Sequence, residues 1–219
     1  RLENADHNYF HNVNFASNSP GLTLFGSDNN VIDLADFFGT GINLEINDSD
    51  NNLIDRSTFG GPGNGLQILG DNNDDAAGNL ITRSEFQNQQ TSVAILSYEV
   101  NTLENNAFTG NGATGIHLGP GVPALVLGND IAGRATGIRW ESRVADVWDN
   151  DIHSGTVGIE VRSAVVGPDN PAPFGAPGGL EPNRVFSNET GVLVPESSAG
   201  AIVRHTEIHS NVTGVDASG

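Results

Sequence analysis

Residues 49–59 read SDNNLIDRSTF, and residues 27–37 read SDNNVIDLADF, so nearly the same phrase returns after 22 residues, from Asn30 to Asn52. A repeat of that length marks a chain built of stacked units, each too small to bury its own apolar face. The phrase runs through the whole sequence. NYFHNVNF (8–15) precedes it, and NLITRSEF (79–86), NTLENNAF (101–108), ALVLGNDI (124–131), ADVWDNDI (145–152), GLEPNRVF (179–186) and AIVRHTEI (201–208) follow. The copies start 21–27 residues apart, except for one gap of 34 that contains a Pro/Gly-rich insertion at 167–183.

A second element alternates with the first: GLTL (21–24), GINL (41–44), GLQI (65–68), SVAI (92–95), GIHL (115–118), GIRW (137–140), GIEV (158–161) and GVLV (191–194). Alternation of period two predicts a strand with one side buried. Each repeat then holds one clear strand and two shorter ones, and no segment keeps a 3.6 period long enough for a helix. Four apolar columns result. The first runs Leu22, Ile42, Leu66, Val93, Ile116, Ile138, Ile159, Val192 and Val215, and the second Leu24, Leu44, Ile68, Ile95, Leu118, Trp140, Val161 and Val194. The third includes Ile32, Ile54, Ile81, Leu103, Val126, Val147 and Val203, and the fourth Phe15, Phe37, Phe59, Phe86, Phe108, Ile131, Ile152, Phe186 and Ile208. Stacked at about 4.8 Å per coil, each column becomes a ladder of like side chains.

Composition sets the limits. The chain of 219 residues has no Cys, so disulfides and thiolate chemistry are excluded, and no Met, which predicts a segment of a longer chain. All nine basic residues are Arg, and against 27 acids the net charge is −18. Such a surface repels nucleic acid and anionic membranes. It suits a salty or calcium-rich exterior, and it also serves simple solubility. No apolar run of about 18 residues is present, so no membrane span is predicted.

The motif N-x-I-x-x-N-x-F followed by G-I-x-L, as in NTLENNAF…GIHL, resembles the right-handed parallel β-helix family, the pectate-lyase-like and NosD-like repeats, over the whole chain. The resemblance implies an all-β, right-handed, single-stranded parallel β-helix of about nine coils and three parallel sheets, one domain spanning 1–219 with 167–183 as a loop insertion. It also implies that the constant five-residue step from third to fourth column is the family's tight second turn, with Asn106, Asn129 and Asn150 as its asparagine ladder. Substrates of related enzymes lie on the outer face of the first sheet, beside the variable first turn. The catalytic signatures of those enzymes are incomplete here. Lys is absent, GND (128–130) and WDNDIHSG (148–155) match fragments of hydrolase motifs, and DFFG (36–39) resembles one strand of pectin methylesterases without its partner motifs.

The outward rows of that sheet are expected to be Thr23, Asn43, Gln67, Ala94, His117, Arg139, Glu160, Leu193 and Phe25, Glu45, Leu69, Leu96, Gly119, Glu141, Arg162, Pro195. His117, Arg139, Glu141, Glu160 and Arg162 form one patch, with Arg139 facing Glu160 and Glu141 facing Arg162. It is either an acid–base or sugar-acid site or a cross-strand ladder of salt bridges. Phe25, and Trp148 pointing outward at the second turn, offer faces for sugar rings. Asp130 and Asp151 share an outward column beside His153. Asp28, Asp48, Asp50, Asp71, Asp74 and Asp75 crowd the first turns of three successive coils. Hard oxygens at that density suit Ca²⁺, although Asp also favours turns for local reasons. The four other histidines show no metal-ligand spacing. The leading expectation is a non-catalytic extracellular or cell-surface β-helix segment with a structural, adhesive or glycan-binding role. Further coils, another domain or a partner chain would lie at its ends. The alternatives are a polysaccharide lyase or hydrolase working on the first sheet, and a phage-tail or filament component.

Overall fold

The computed structural model describes residues 1–16, 19–70, 76–142, 144–162, 165–166, 181–198 and 202–217. The chain winds as a parallel β-solenoid with three sheets along its length. Ten strands form the first sheet, from Leu2–Glu3 to Thr213–Asp216; seven form the second, from Tyr9–His11 to Asp146–Trp148; nine form the third, from Asn14–Ala16 to Thr206–His209. Among the described residues there is no α-helix. The winding amounts to about eight turns, close to the nine repeats counted. Past Asp146–Trp148 the second sheet gives way to a separate pair, Val165–Val166 with Ile202–Val203.

The core is the set of four columns, one strand face per sheet. Ile32, Ile54, Ile81, Leu103, Val126 and Val147 are all fully buried, as are Phe37, Phe59, Phe86 and Phe108. Ring centroids from Phe15 through Phe108 stand 4.6–4.9 Å apart with interplanar angles of at most 10°, an offset stack at the coil repeat.

Three column positions, on two strands, are corrected. Leu22 pairs with Leu44 and Leu24 with Ile46, so the strand Ile42–Asn47 sits two residues away from the expected register. The third corner sets this: seven residues separate Phe15 from Leu22, Phe37 from Leu44 and Phe59 from Leu66, whereas Ile42 lies too close to Phe37. Gly41 therefore belongs to the turn, and Asn43 is buried with its amide donating to the carbonyl of Gly60 at 2.9 Å. Likewise Val185, not Phe186, occupies the fourth column, pairing with Ile152 and Ile208. Phe186 faces outward, stacked between His153 and His209.

At the first and second corners a residue with left-handed backbone commonly precedes an inward residue, and where that residue is Asn or Ser its side-chain oxygen accepts a hydrogen bond from the backbone of the coil before it. At the second corner the left-handed residues are Asn12, Leu34, Arg56, Arg83, Asn105, Gly128 and Asp149. The predicted ladder follows, Asn106 to Asn129 to Asn150, and it extends to Asn183. The first corner carries a second ladder, Asn8, Asn30, Asn52, Asn79 and Asn101. Buried amides paired in this way satisfy the backbone at a sharp bend. The glycines ahead of the first-sheet strands answer close approach instead. A Cβ on Gly137 would come within 2.5 Å of Ile152 Cγ2 and 2.6 Å of the Gly158 carbonyl oxygen.

Candidate functional site

Strand alternation points His117, Arg139 and Glu160 out of the first sheet on adjacent coils, and the register confirms His117 opposite Arg139 and Arg139 opposite Glu160. The predicted patch therefore forms. Arg139 Nε lies 3.3 Å from Glu160 and 3.5 Å from Glu141. Arg162 turns back along its own strand to Glu160 at 2.8 Å rather than across to Glu141. Glu141 instead faces His117 Nε2 at 3.5 Å, too long for a hydrogen bond. Burial holds the His117 imidazolium below its ordinary pKa, against the pull of Glu141. Glu160 is thus flanked by both guanidinium groups, whereas Glu141 stands 3.5 Å from Arg139 Nε and from His117 Nε2 without a hydrogen bond to either, in a patch where two positive and two negative side chains balance.

At the other end of the same face a cleft of about 600 Å³ is lined by Arg1, Pro20, Gly21, Thr23, Phe25, Glu45 and Asn47. The register correction builds it. Glu45 stands opposite Thr23, and Asn47 opposite Phe25. The Arg1 guanidinium covers the Phe25 ring at 5.0 Å and reaches Glu3 at 3.6 Å. The half-buried ring thus presents a face that already accepts a planar polar group.

Other expected residues fall elsewhere. Trp148 leaves the core side of its strand as predicted, but it is 7% exposed and packs on His205 at 4.8 Å, so it is no open platform. Asp130 and Asp151 share a register position. They take separate partners: His153 Nε2 lies 2.9 Å from Asp130, and Arg184 holds Asp151. Asp28 and Asp50 form a column with Asp6. Each Oδ1 accepts a backbone amide of the following coil at 2.8 Å, from Asp28, Asp50 and Ala77 in turn. Asp48 stands outside that column, and Asp71, Asp74 and Asp75, with insertion residues 167–180, lie outside the described residues.

Two features escaped the sequence reading. On the outer face of the second sheet, buried Asp33 and Asp55 alternate with exposed cations: His11 Nδ1 lies 3.0 Å from Asp33, Arg56 grips Asp33 bidentately at 2.8 Å and Arg83 grips Asp55. Burial raises the pKa of Asp33, but hydrogen bonds from His11 and Arg56 outweigh it and hold the carboxyl below the usual range. The signal was the shared Ile-Asp step at 32–33 and 54–55. The second feature is Arg134, 1% exposed at the third corner, donating to the carbonyls of Gln89 and Phe86 two turns away. It passes Gly112, where a Cβ would lie 2.0 Å from its Nη1. Burial lowers its pKa to about 10.

A family described as periplasmic copper-binding protein (NosD) matches residues 1–167. No curated protein matches the chain. Among solved structures it is similar to the A-module of a mannuronan C-5 epimerase from Azotobacter vinelandii, at 16% identity and a TM-score of 0.32. That match covers 98% of this chain and 55% of the other, so the chain spans about half the length of that module, and no functional weight rests on it. The residues present do not fit a copper centre. Copper sites draw on Cys, Met and clustered His. This sequence has neither Cys nor Met, and the described residues bring no three His, Asp or Glu together around a common point.

Proposed function

The chain belongs to the periplasmic NosD family of β-helix proteins, and we propose that it is a non-catalytic module, acting outside the cytoplasm, that binds glycan along the outer face of its first sheet. One observation carries this: the cleft that joins an aromatic face, Phe25, to the polar side chains of Thr23, Glu45 and Asn47. Concave sites with one apolar wall and a few convergent hydrogen-bonding groups are what small hydroxylated ligands need. The other patch favours binding over turnover. General acid–base catalysis needs a group free to move a proton at the substrate, and Glu160 is held between Arg139 and Arg162. The test is a panel of neutral and acidic polysaccharides, followed by calorimetry for binding and by reducing-end and unsaturated-product assays for turnover. Binding without products, lost in Phe25→Ala and kept in Arg139→Ala, supports the proposal. Products that vanish in Glu160→Gln overturn its non-catalytic half.

A further inference from the structure

We infer that the ligand of this face is a neutral, hydroxyl-rich glycan and that polyuronates and sulfated chains are excluded, an inference that rests on the glycan-binding proposal above. Carboxylates and sulfates are recognised by guanidinium forks or ammonium groups left open to them. The sequence has no Lys. Among the described residues, the arginines on this face have carboxylate neighbours: Arg139 lies 3.3 Å from Glu160, Arg162 2.8 Å from Glu160, and Arg1, which lines the cleft, 3.6 Å from Glu3. Glu45, on the cleft wall, makes no ion pair among the described residues and adds a negative charge where a bound sugar would lie. The same carboxylate accepts hydrogen bonds from two neighbouring hydroxyls, Asn47 both donates and accepts, and Thr23 supplies a hydroxyl. That set satisfies a pyranose bearing only hydroxyls, and it offers a carboxylate on C6 only the neutral donors of Thr23 and Asn47 beside the like charge of Glu45, with the Arg1 guanidinium drawn to Glu3. The net charge of −18 adds repulsion at longer range.

Calorimetry in EDTA, at low and at physiological salt, with pooled gluco-, manno- and galacto-hexaoses and with the same pools oxidised to uronates at C6, tests this. The neutral pool is expected to bind at least about tenfold more tightly than the oxidised one. The gap should narrow as salt screens the repulsion. Glu45→Gln is expected to narrow it at low salt, while Asn47→Ala weakens the neutral pool. If the oxidised pool binds as well or better, the ligand class is wrong while glycan binding stands. If neither pool binds, the glycan-binding proposal itself falls.

Discussion

Asn52, at the first corner, makes contacts that no other residue type reproduces. Its Nδ2 donates to Asn79 Oδ1 at 3.0 Å and to the Ser27 carbonyl at 3.1 Å, and its Oδ1 accepts from both nitrogens of Asn30 at 2.9 and 3.0 Å. Asn52→Asp keeps the shape and the acceptor but loses both donors, and sets a charge at a site 1% exposed. A destabilisation of about 3 kcal/mol or more is expected from the denaturant midpoint. A loss under about 1 kcal/mol would show that the amide ladder does not bear on stability. Leu34 is the converse case. It holds a left-handed backbone at φ 52° and is 42% exposed, so it bears strain with little burial in return. The left-handed region costs an L-residue about 1–2 kcal/mol, and glycine escapes that at an entropic cost of about 0.5–1. Leu34→Gly is therefore expected to raise the melting temperature slightly. A fall would mean that the Leu34 side chain packs to more effect than its exposure implies.

At the scale of the strand, the second sheet stores charge where the first and second corners, at its two edges, store amides. Asp33 carries a folded-state pKa below its unfolded value of about 3.9. Its contribution is therefore fully present above that value and is lost as pH falls through the lower folded one. The stability gap between the parent chain and Asp33→Asn should be largest near pH 6 and shrink steadily below about pH 4. Asp146, whose carboxyl burial pushes upward, shifts in the opposite sense, so the comparison must be with the variant rather than with the parent's pH profile alone. A gap that holds constant to pH 2.5 would place Asp33 outside the acid response. This ladder also marks where sequence runs out. Strand existence, the four columns and the Asn106 ladder were legible because period two and the coil repeat are written directly into residue type. The registers of Ile42–Asn47 and Asn183–Phe186 were misread because Ile42 and Phe186 are apolar whichever way they face. The seven-residue step across the third corner, kept by every coil but the one from Phe108 to Ile116, was the available correction. The polar cleft depends on that register, since it moves Glu45 into line with Thr23.

Over the whole molecule, apart from Arg134, which reaches back two turns, each turn touches chiefly its neighbours, so stability is largely a chain of local terms rather than one shared core. Those terms are uneven. From Ile32 to Val126 the second-sheet column is fully buried, and the phenylalanine stack runs unbroken through Phe108. Beyond it the fourth column carries Ile131, Ile152, Val185 and Ile208, and by the last turn burial has gone. Val215 is 53% exposed and Val212 88%, whereas Val192, one turn earlier in the same column as Val215, is fully buried. Native-state hydrogen exchange is therefore expected to show the lowest opening free energies in Thr206–His209 and Thr213–Asp216, and the highest in Leu53–Asp55, Leu80–Thr82 and Asn101–Glu104. A perturbation should stay local in the same way. Phe86→Ala removes a ring stacked on Phe59 and Phe108, at a cost of about 3–5 kcal/mol. Protection should fall most in Thr58–Gly60 and Ala107–Thr109 and least in Asp151–His153, four coils' worth of third-sheet pairing apart from the first of these. An equal loss in all of these strands would mean that the solenoid opens only as a single unit, and the neighbour-by-neighbour account of its stability would have to be abandoned.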